Sequence, residues 1–357
     1  MSSSIPGVSL GGDAKHIRIA QIAFGTMHFT WKAAPETSGD ILQVIKAAVE
    51  AASPHKLLLN GGAFYGPPND AWANLRLIKN FFAEYPQLRE KVVLSIKGGF
   101  VMEEYVAKGF AGIRTDAKED NVRRDLIKIK EELGGDVPDI YELARVDPHV
   151  SIEDQMKNLS KLKGEGLFKY IGVSEMGADS LRRAAKVAPV ASIEDEYSLW
   201  ETAVEDNGVL KAVEELEIPL IAYSPTGKGM LSGQLKSRAD LPEGDIRLHQ
   251  DRFSEENFAG NVKLGEALAE YGSKHNPPAT AAQQSLSWLI AQSPQKRLIV
   301  PLPATSKLQR IKENFDSAKP EFELDAQQSK EIRKLLADIG VKGERYNAHM
   351  RATNLWG

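Results

Sequence analysis

Leu57-Leu58-Leu59-Asn60-Gly61-Gly62-Ala63-Phe64-Tyr65-Gly66 is the stretch whose reading decides the fold. Three apolar residues make a short buried strand, paired glycines end it, and a phenol follows on the exit loop. Further on, Val92-Val93-Leu94-Ser95-Ile96-Lys97-Gly98-Gly99 repeats the design with an ammonium at the strand end. If the two strands are parallel neighbours, Tyr65 and Lys97 emerge on the same side of the sheet. A cation beside a phenol favours phenolate and lowers the phenol pKa, so Tyr65 is a candidate proton donor.

Outward from this pair the chain alternates. The spacing predicts strands over 21–25, 57–60, 91–97, 139–146, 170–174, 190–194, 219–224 and 297–301. Helices are expected between them, over 39–52, 69–85, 120–133, 152–163, 179–187 and 208–216, with apolar residues at helical spacing. A long polar stretch, 226–256, interrupts the beat, and helices over 261–274, 280–291, 307–318 and 325–339 complete it. This predicts an α/β fold, a single (β/α)8 TIM barrel with an extra C-terminal helix and long loops at the C-terminal rim. One domain is expected over 1–357, the barrel about 17–318, the helix and tail 319–357. A doubly wound sheet is the alternative, but the first strand-to-helix turn lacks a G-x-G-x-x-G fingerprint. In a barrel, strand ends share one rim, and here they read Trp31, Tyr65, Lys97, Arg145, Ser174, Glu194, Tyr223 and Pro303.

The totals restrict the function. The 357 residues carry a net charge of −4 at pI about 6.1, which argues for neither nucleic acid nor an anionic membrane as partner. There are no cysteines, so disulfides and thiolate catalysis are excluded. The N-terminus lacks the basic and apolar regions of a secretory signal, and a cytoplasmic protein is expected, monomeric or weakly self-associating. The histidines lack metal-ligand spacing, so no metal is expected.

Two later segments suit an anionic ligand. Pro301-Leu302-Pro303-Ala304-Thr305-Ser306-Lys307 leads into a helix that carries Arg310, Glu313 and Asn314. A strand end, a hydroxyl-rich turn and a helix N-terminus flanked by cations attract phosphate. The plainer reading is that Thr305 or Ser306 is an N-cap. Tyr223-Ser224-Pro225-Thr226-Gly227-Lys228-Gly229-Met230-Leu231-Ser232-Gly233 offers small residues for close backbone approach and a flat aromatic face.

Together these motifs resemble the aldo-keto reductases, NADPH-dependent (α/β)8 barrels that reduce aldehydes and ketones. The resemblance runs from Ala23-Phe24-Gly25-Thr26-Met27 to Ile311-Lys312-Glu313-Asn314. It rests most on Ala63-Phe64-Tyr65-Gly66, Arg145-Val146-Asp147-Pro148, Tyr170-Ile171-Gly172-Val173-Ser174, Glu196-Tyr197-Ser198-Leu199-Trp200 and Ala222-Tyr223-Ser224-Pro225. It implies that Tyr65 is the general acid, that Lys97 assists it, and that Tyr223 stacks on the nicotinamide. It places Ser174 and Glu194 by the carboxamide. Gly227, Gly229, Leu231 and Gly233 would follow the pyrophosphate, Ser224 would also touch the cofactor, and Thr305, Lys307, Arg310, Glu313 and Asn314 would hold the 2′-phosphate and adenine. Trp31, Phe64 and Arg145 are candidate walls of a pocket for a small-molecule aldehyde.

The chain departs from the family pattern where it matters. Asn60 stands at the usual Asp, Ala144 at the usual His, Glu175 at the usual Asn and Glu194 at the usual Gln. Ala144-Arg145-Val146-Asp147-Pro148 and Asn60-Gly61-Gly62-Ala63-Phe64-Tyr65-Gly66 look most like the fungal pyridoxal reductase branch. That implies reduction of pyridoxal to pyridoxine, with a broad aldehyde or ketone reductase as the alternative. Asn60 is expected to accept a hydrogen bond from Lys97 while adding no charge, which would leave the field of Lys97 on Tyr65 less compensated. A cofactor-binding regulatory or redox-sensing module with little turnover, or a Schiff-base aldolase using Lys97, are readings from other classes.

Overall fold

The computed structural model describes residues 4–242, 245–293 and 298–346. Eight strands form one parallel sheet in sequence order: β1 (Phe24–Gly25), β2 (Leu57–Gly62), β3 (Val92–Gly98), β4 (Ile140–Leu143), β5 (Tyr170–Ser174), β6 (Val190–Glu196), β7 (Leu220–Tyr223) and β8 (Ile299–Leu302). Backbone bonds from Ala23 N to the Pro301 carbonyl (2.9 Å) and from Gly25 N to the Pro303 carbonyl (3.1 Å) join the first strand to the last. The sheet is thereby a (β/α)8 barrel, as expected. Among the described residues no helix is long and apolar enough to cross a membrane.

The strands differ from expectation mainly in length. The first is Phe24–Gly25 rather than 21–25, and the fourth ends at Leu143, so Arg145 lies on the loop beyond it. β2 and β6 are longer than predicted, because Gly61-Gly62 and Asp195-Glu196 still pair with neighbouring strands. The polar stretch holds short 3-10 turns, and its last residues belong to the helix Glu255–Ser273. That helix starts earlier than apolar spacing suggests, because the Ser254 side chain caps it at Asn257 N.

Side chains alternate along a strand, and the interior is layered accordingly. Leu58, Val93, Ile140, Ala191, Ile221 and Val300 form one buried apolar cluster with Val8, Leu10, Ala14 and Ile19. Those N-terminal residues belong to a hairpin, Gly7–Ser9 paired with Arg18–Ala20, that seals the floor. Two residues further along their strands, Asn60, Ser95 and Glu142 are buried and polar. Apolar burial at the floor contributes stability at roughly 25 cal/mol per Å², while the buried polar layer above it costs stability unless every group is paired.

Candidate active site

Tyr65 is held by its backbone as much as by its ring. The Thr30 hydroxyl donates to the Tyr65 carbonyl (2.6 Å). Asn74 accepts from Gly62 N (3.1 Å) and donates to Thr30 (2.9 Å). A Cβ on Gly62 would lie 3.0 Å from the Tyr65 ring carbons, so glycine is what lets the phenol fold back over the strand end. Trp31 stacks on Tyr65 at 5.3 Å, Phe64 meets it edge-on at 4.9 Å, and Phe100 packs on Phe64 at 4.4 Å. The Trp31 indole donates to the Tyr105 hydroxyl (2.9 Å), which in turn donates to the Gly66 carbonyl (2.6 Å). Tyr105, Phe100 and the exposed Phe110, 5.6 Å from Trp31, are further wall residues, which the sequence marks only collectively, as the pocket-shaping stretch 100–116. They follow β3, Tyr105 on the short helix Met102–Lys108, and no periodicity singles them out. Ala144, buried in the same cluster, leaves apolar surface where the family pattern has an imidazole.

Lys97 lies between two carboxylates. Glu142, its cross-strand partner on β4, is 3.1 Å from Nζ, and Glu194 on β6 makes a second ion pair with it. All three side chains are 5% exposed or less. Contrary to expectation, Asn60 does not accept from Lys97; its amide donates to Glu194 (2.7 Å). The expectation of a less compensated lysine is therefore overturned: the carboxylate missing from β2 is replaced from β4 and β6. Burial opposes the charge on Lys97, and Glu142 and Glu194 together outweigh it, so its pKa is raised. Burial raises Glu194, with Glu142 adding to the effect and Lys97 opposing it. Tyr65 moves opposite to expectation, up to about 12: burial dominates, Lys97 and Arg145 pull down, and Glu194 and Glu142 push up. Glu142 is not among the residues the sequence singles out, although a charged residue between Tyr141 and Leu143, in line with Ala144, is a visible signal.

On the other side of the mouth the tail returns to the barrel. Arg345 bonds Glu196 (2.6 Å) and Glu175 (2.8 Å), and it donates to the Tyr223 hydroxyl (3.1 Å). Tyr223 itself donates to Glu175 (2.6 Å), and the Tyr346 hydroxyl lies 3.2 Å away. Asn261 clamps Lys342 through both its backbone groups at 2.8 Å, and Glu344 N donates to Asp251 (2.7 Å). Burial disfavours charge on Glu175 and Glu196, yet both are held below the usual carboxylate range by cations, Arg145 and Arg345 for the first, Lys228 and Arg345 for the second. Glu175, Ser224 and Lys228 have φ of 49°, 52° and 55°, strained values for side-chain-bearing residues. Arg145 is close enough to feel Tyr223, Glu175 and Tyr346, and its guanidinium Nη1 donates to the Ala144 carbonyl (2.6 Å).

The remaining expected residues lie around this mouth. Ser174 closes β5 with its hydroxyl buried and without a hydrogen-bond partner. Glu194, read as a carboxamide contact, is instead engaged by Lys97 and Asn60. Gly227, Gly229 and Gly233 all have positive φ; Leu231 is buried, and the indole of Trp200 leaves no room for a Cβ at 227. Neither Thr305 nor Ser306 caps the helix Leu308–Asp316: Lys307 is the N-cap, without a side-chain bond, and the Thr305 hydroxyl accepts from Lys307 N (3.1 Å). Among the described residues neither Lys307 nor Arg310 has an ion-pair partner. Glu313 accepts from Thr280 (2.5 Å), and Asn314 is buried.

Comparisons with known proteins agree with this architecture. The Aldo/keto reductase family model matches residues 21–337. "Probable pyridoxal reductase 2" of Schizosaccharomyces pombe is 30% identical over 342 residues, 94% of this chain and 97% of that one. An aldo-keto reductase of the same yeast, whose name specifies NADP(+), is 31% identical over 348 residues, 96% and 95% of the two chains. Among solved structures, the glycerol dehydrogenase of Gluconobacter oxydans superposes with a TM-score of 0.77 at 17% identity, over 95% of this chain and 97% of that one. The chain belongs to the aldo/keto reductase family.

Proposed function

We propose that this chain is an NADPH-dependent reductase of aromatic aldehydes, with pyridoxal, reduced to pyridoxine, as its substrate. The observation that carries this reading is a phenol and an ammonium together beneath an aromatic wall: Tyr65 coupled electrostatically to Lys97, with Trp31 and Phe64 against the phenol ring. A phenol pushed up to about 12 keeps its proton throughout the neutral range, as a reductive general acid requires. Lys97 then stabilises the phenolate as it forms. The wall of Trp31, Phe64 and Phe100 suits a flat ring, and Arg145 beyond β4 adds a cation at the mouth.

The residues present suit the cofactor. An orphaned Ser174 hydroxyl suits a carboxamide, and an uncapped helix N-terminus with two unpaired cations suits a phosphomonoester. Ser174 would meet the carboxamide and Tyr223 the ring. Ser224, Gly227, Gly229, Leu231 and Gly233 would lie along the pyrophosphate, and Thr305, Lys307, Arg310, Glu313 and Asn314 would take the 2′-phosphate and adenine. When bound, NADPH supplies the hydride. This chain's part is to orient the carbonyl, exclude water and deliver the Tyr65 proton to its oxygen. No imidazole is present at Ala144 to polarise that oxygen, and the phenol of pyridoxal next to its aldehyde can do so internally.

The test is a panel of aldehydes assayed with NADPH and NADH side by side. Many turnovers with pyridoxal and NADPH, and a lower kcat/KM for 3-deoxypyridoxal, are expected. Cofactor binding without turnover on any aldehyde overturns the reading in favour of a binding module.

A further inference from the structure

Glu142 has no role in the reading above, yet the fold makes room for it. It stands opposite Lys97 in the β3–β4 register and opposite Gly172 in the β4–β5 register. A Cβ at position 172 would lie 3.3 Å from both Glu142 Cβ and its Oε2, so a larger residue there would press on the carboxylate. The Ser95 hydroxyl donates to Glu142 Oε1 at 3.3 Å, the same oxygen that lies 3.1 Å from Lys97 Nζ. Glu142 is 1% exposed, so its charge is not screened by solvent. Glu194 has a second duty in accepting from Asn60, whereas the Glu142 oxygen at Lys97 is shared with the Ser95 hydroxyl.

We propose that Glu142 is a positioning residue that acts through Lys97: from β4 its buried carboxylate pairs with the ammonium and offsets its field at Tyr65, keeping the phenol in its proton-donating form, the task that a carboxylate at Asn60 would otherwise perform from β2. The proposal rests on Tyr65 being the proton donor. The charged groups that act on the phenol are Lys97 from β3, Glu194 from β6, Glu142 from β4 and Arg145 from the loop after it. Removing the Glu142 charge leaves Lys97 balanced by Glu194 alone. The field at Tyr65 then becomes more positive, phenolate forms more readily, and the phenol titrates at lower pH. Reduction needs the protonated phenol, so the alkaline limb of kcat/KM moves to lower pH with it.

The experiment follows Tyr65 by NMR of protein labelled at tyrosine Cζ, with Y65F to assign the signal, and runs the pH profile of kcat/KM in parallel. In E142Q both the titration midpoint and the alkaline limb should fall by about one pH unit or more, the size expected for one charge at close range. N60D/E142Q, which returns a carboxylate from β2, should move both back up. E142D keeps the charge but withdraws it by one methylene, and should give a smaller fall in the same direction. It decides the matter if E142Q does not fold. A folded E142Q or E142D whose Tyr65 signal titrates as in the wild type overturns the proposal. The NMR titration needs no turnover, so a failure of the reductase reading would show in the aldehyde panel alone.

Discussion

Two cations at the mouth of this barrel are each gripped by two buried glutamates, and they differ in what carries them. Lys97 rises from β3 between Glu142 and Glu194. Arg345 arrives on the tail, beyond the last helix, and settles between Glu175 and Glu196. The acids lie on barrel strands or directly after them in both cases, so the electrostatics are alike. The tethers are not. The ammonium is carried by a strand inside the sheet, whereas the guanidinium is carried by a tail that Asn261 and Asp251 hold at the rim. A fixed cation suits chemistry, where the phenol must always find it. The second pins the tail beside the Tyr223 hydroxyl. One of its acids is strained: Glu175, directly after β5, sits at φ 49°, a conformation that asparagine tolerates better, and its carboxylate accepts from Arg345.

This contrast can be broken by comparing variants on the two sides. Y65F should lower kcat by about a thousandfold, about 4 kcal/mol in barrier, with the melting temperature little changed. R345A should do the reverse. Stripping the tail's guanidinium from two buried carboxylates should cost about 3 kcal/mol of stability, read by denaturant unfolding, with a smaller effect on kcat. Equal losses of activity and stability from both variants would erase the distinction. The tail side should also be acid-sensitive. Glu175 and Glu196 are held below their ordinary value of 4.5, so their stabilisation is present above that pH and is lost as pH falls through their lowered values. The stability gap between wild type and R345A should therefore narrow below about pH 4.5. A smaller effect concerns cofactor choice: K307A/R310A should raise KM for NADPH about tenfold while leaving NADH unaffected. A separate acid sensitivity lies at His28, whose two ring nitrogens are buried without partners and whose pKa is lowered to about 3 by burial and by Lys32. Its contribution is present above 6.5 and lost as pH falls towards 3, so H28F should flatten the fall of the melting temperature across that window.

The barrel was legible because its signals are local. Each strand is a short apolar run bounded by turn residues, and each helix shows its own apolar stripe, so β5 and the helix Ile152–Gly164 fall almost where the periodicity puts them. Tyr65 and Lys97 were legible because strand ends in a parallel barrel share a rim. The environment of the pair was not, since it depends on which side chains meet across the interior. The distance between Asn60 and Glu194, 134 residues apart in sequence, is set by barrel closure and by no local pattern. The same holds for Arg345, whose partners are 149 and 170 residues away. The sign of the Tyr65 shift failed for a related reason: a neighbouring lysine can be read from strand order, but the burial that outweighs it cannot.

The most direct measurement is a count of pyridoxine formed per NADPH consumed, in the wild type and in Y65F, with cofactor binding to both measured by fluorescence. One pyridoxine per NADPH over many turnovers, lost in a Y65F protein that still binds NADPH, is the expected result. A Y65F enzyme as fast as the wild type, or a wild type that binds NADPH and forms no alcohol, would contradict it.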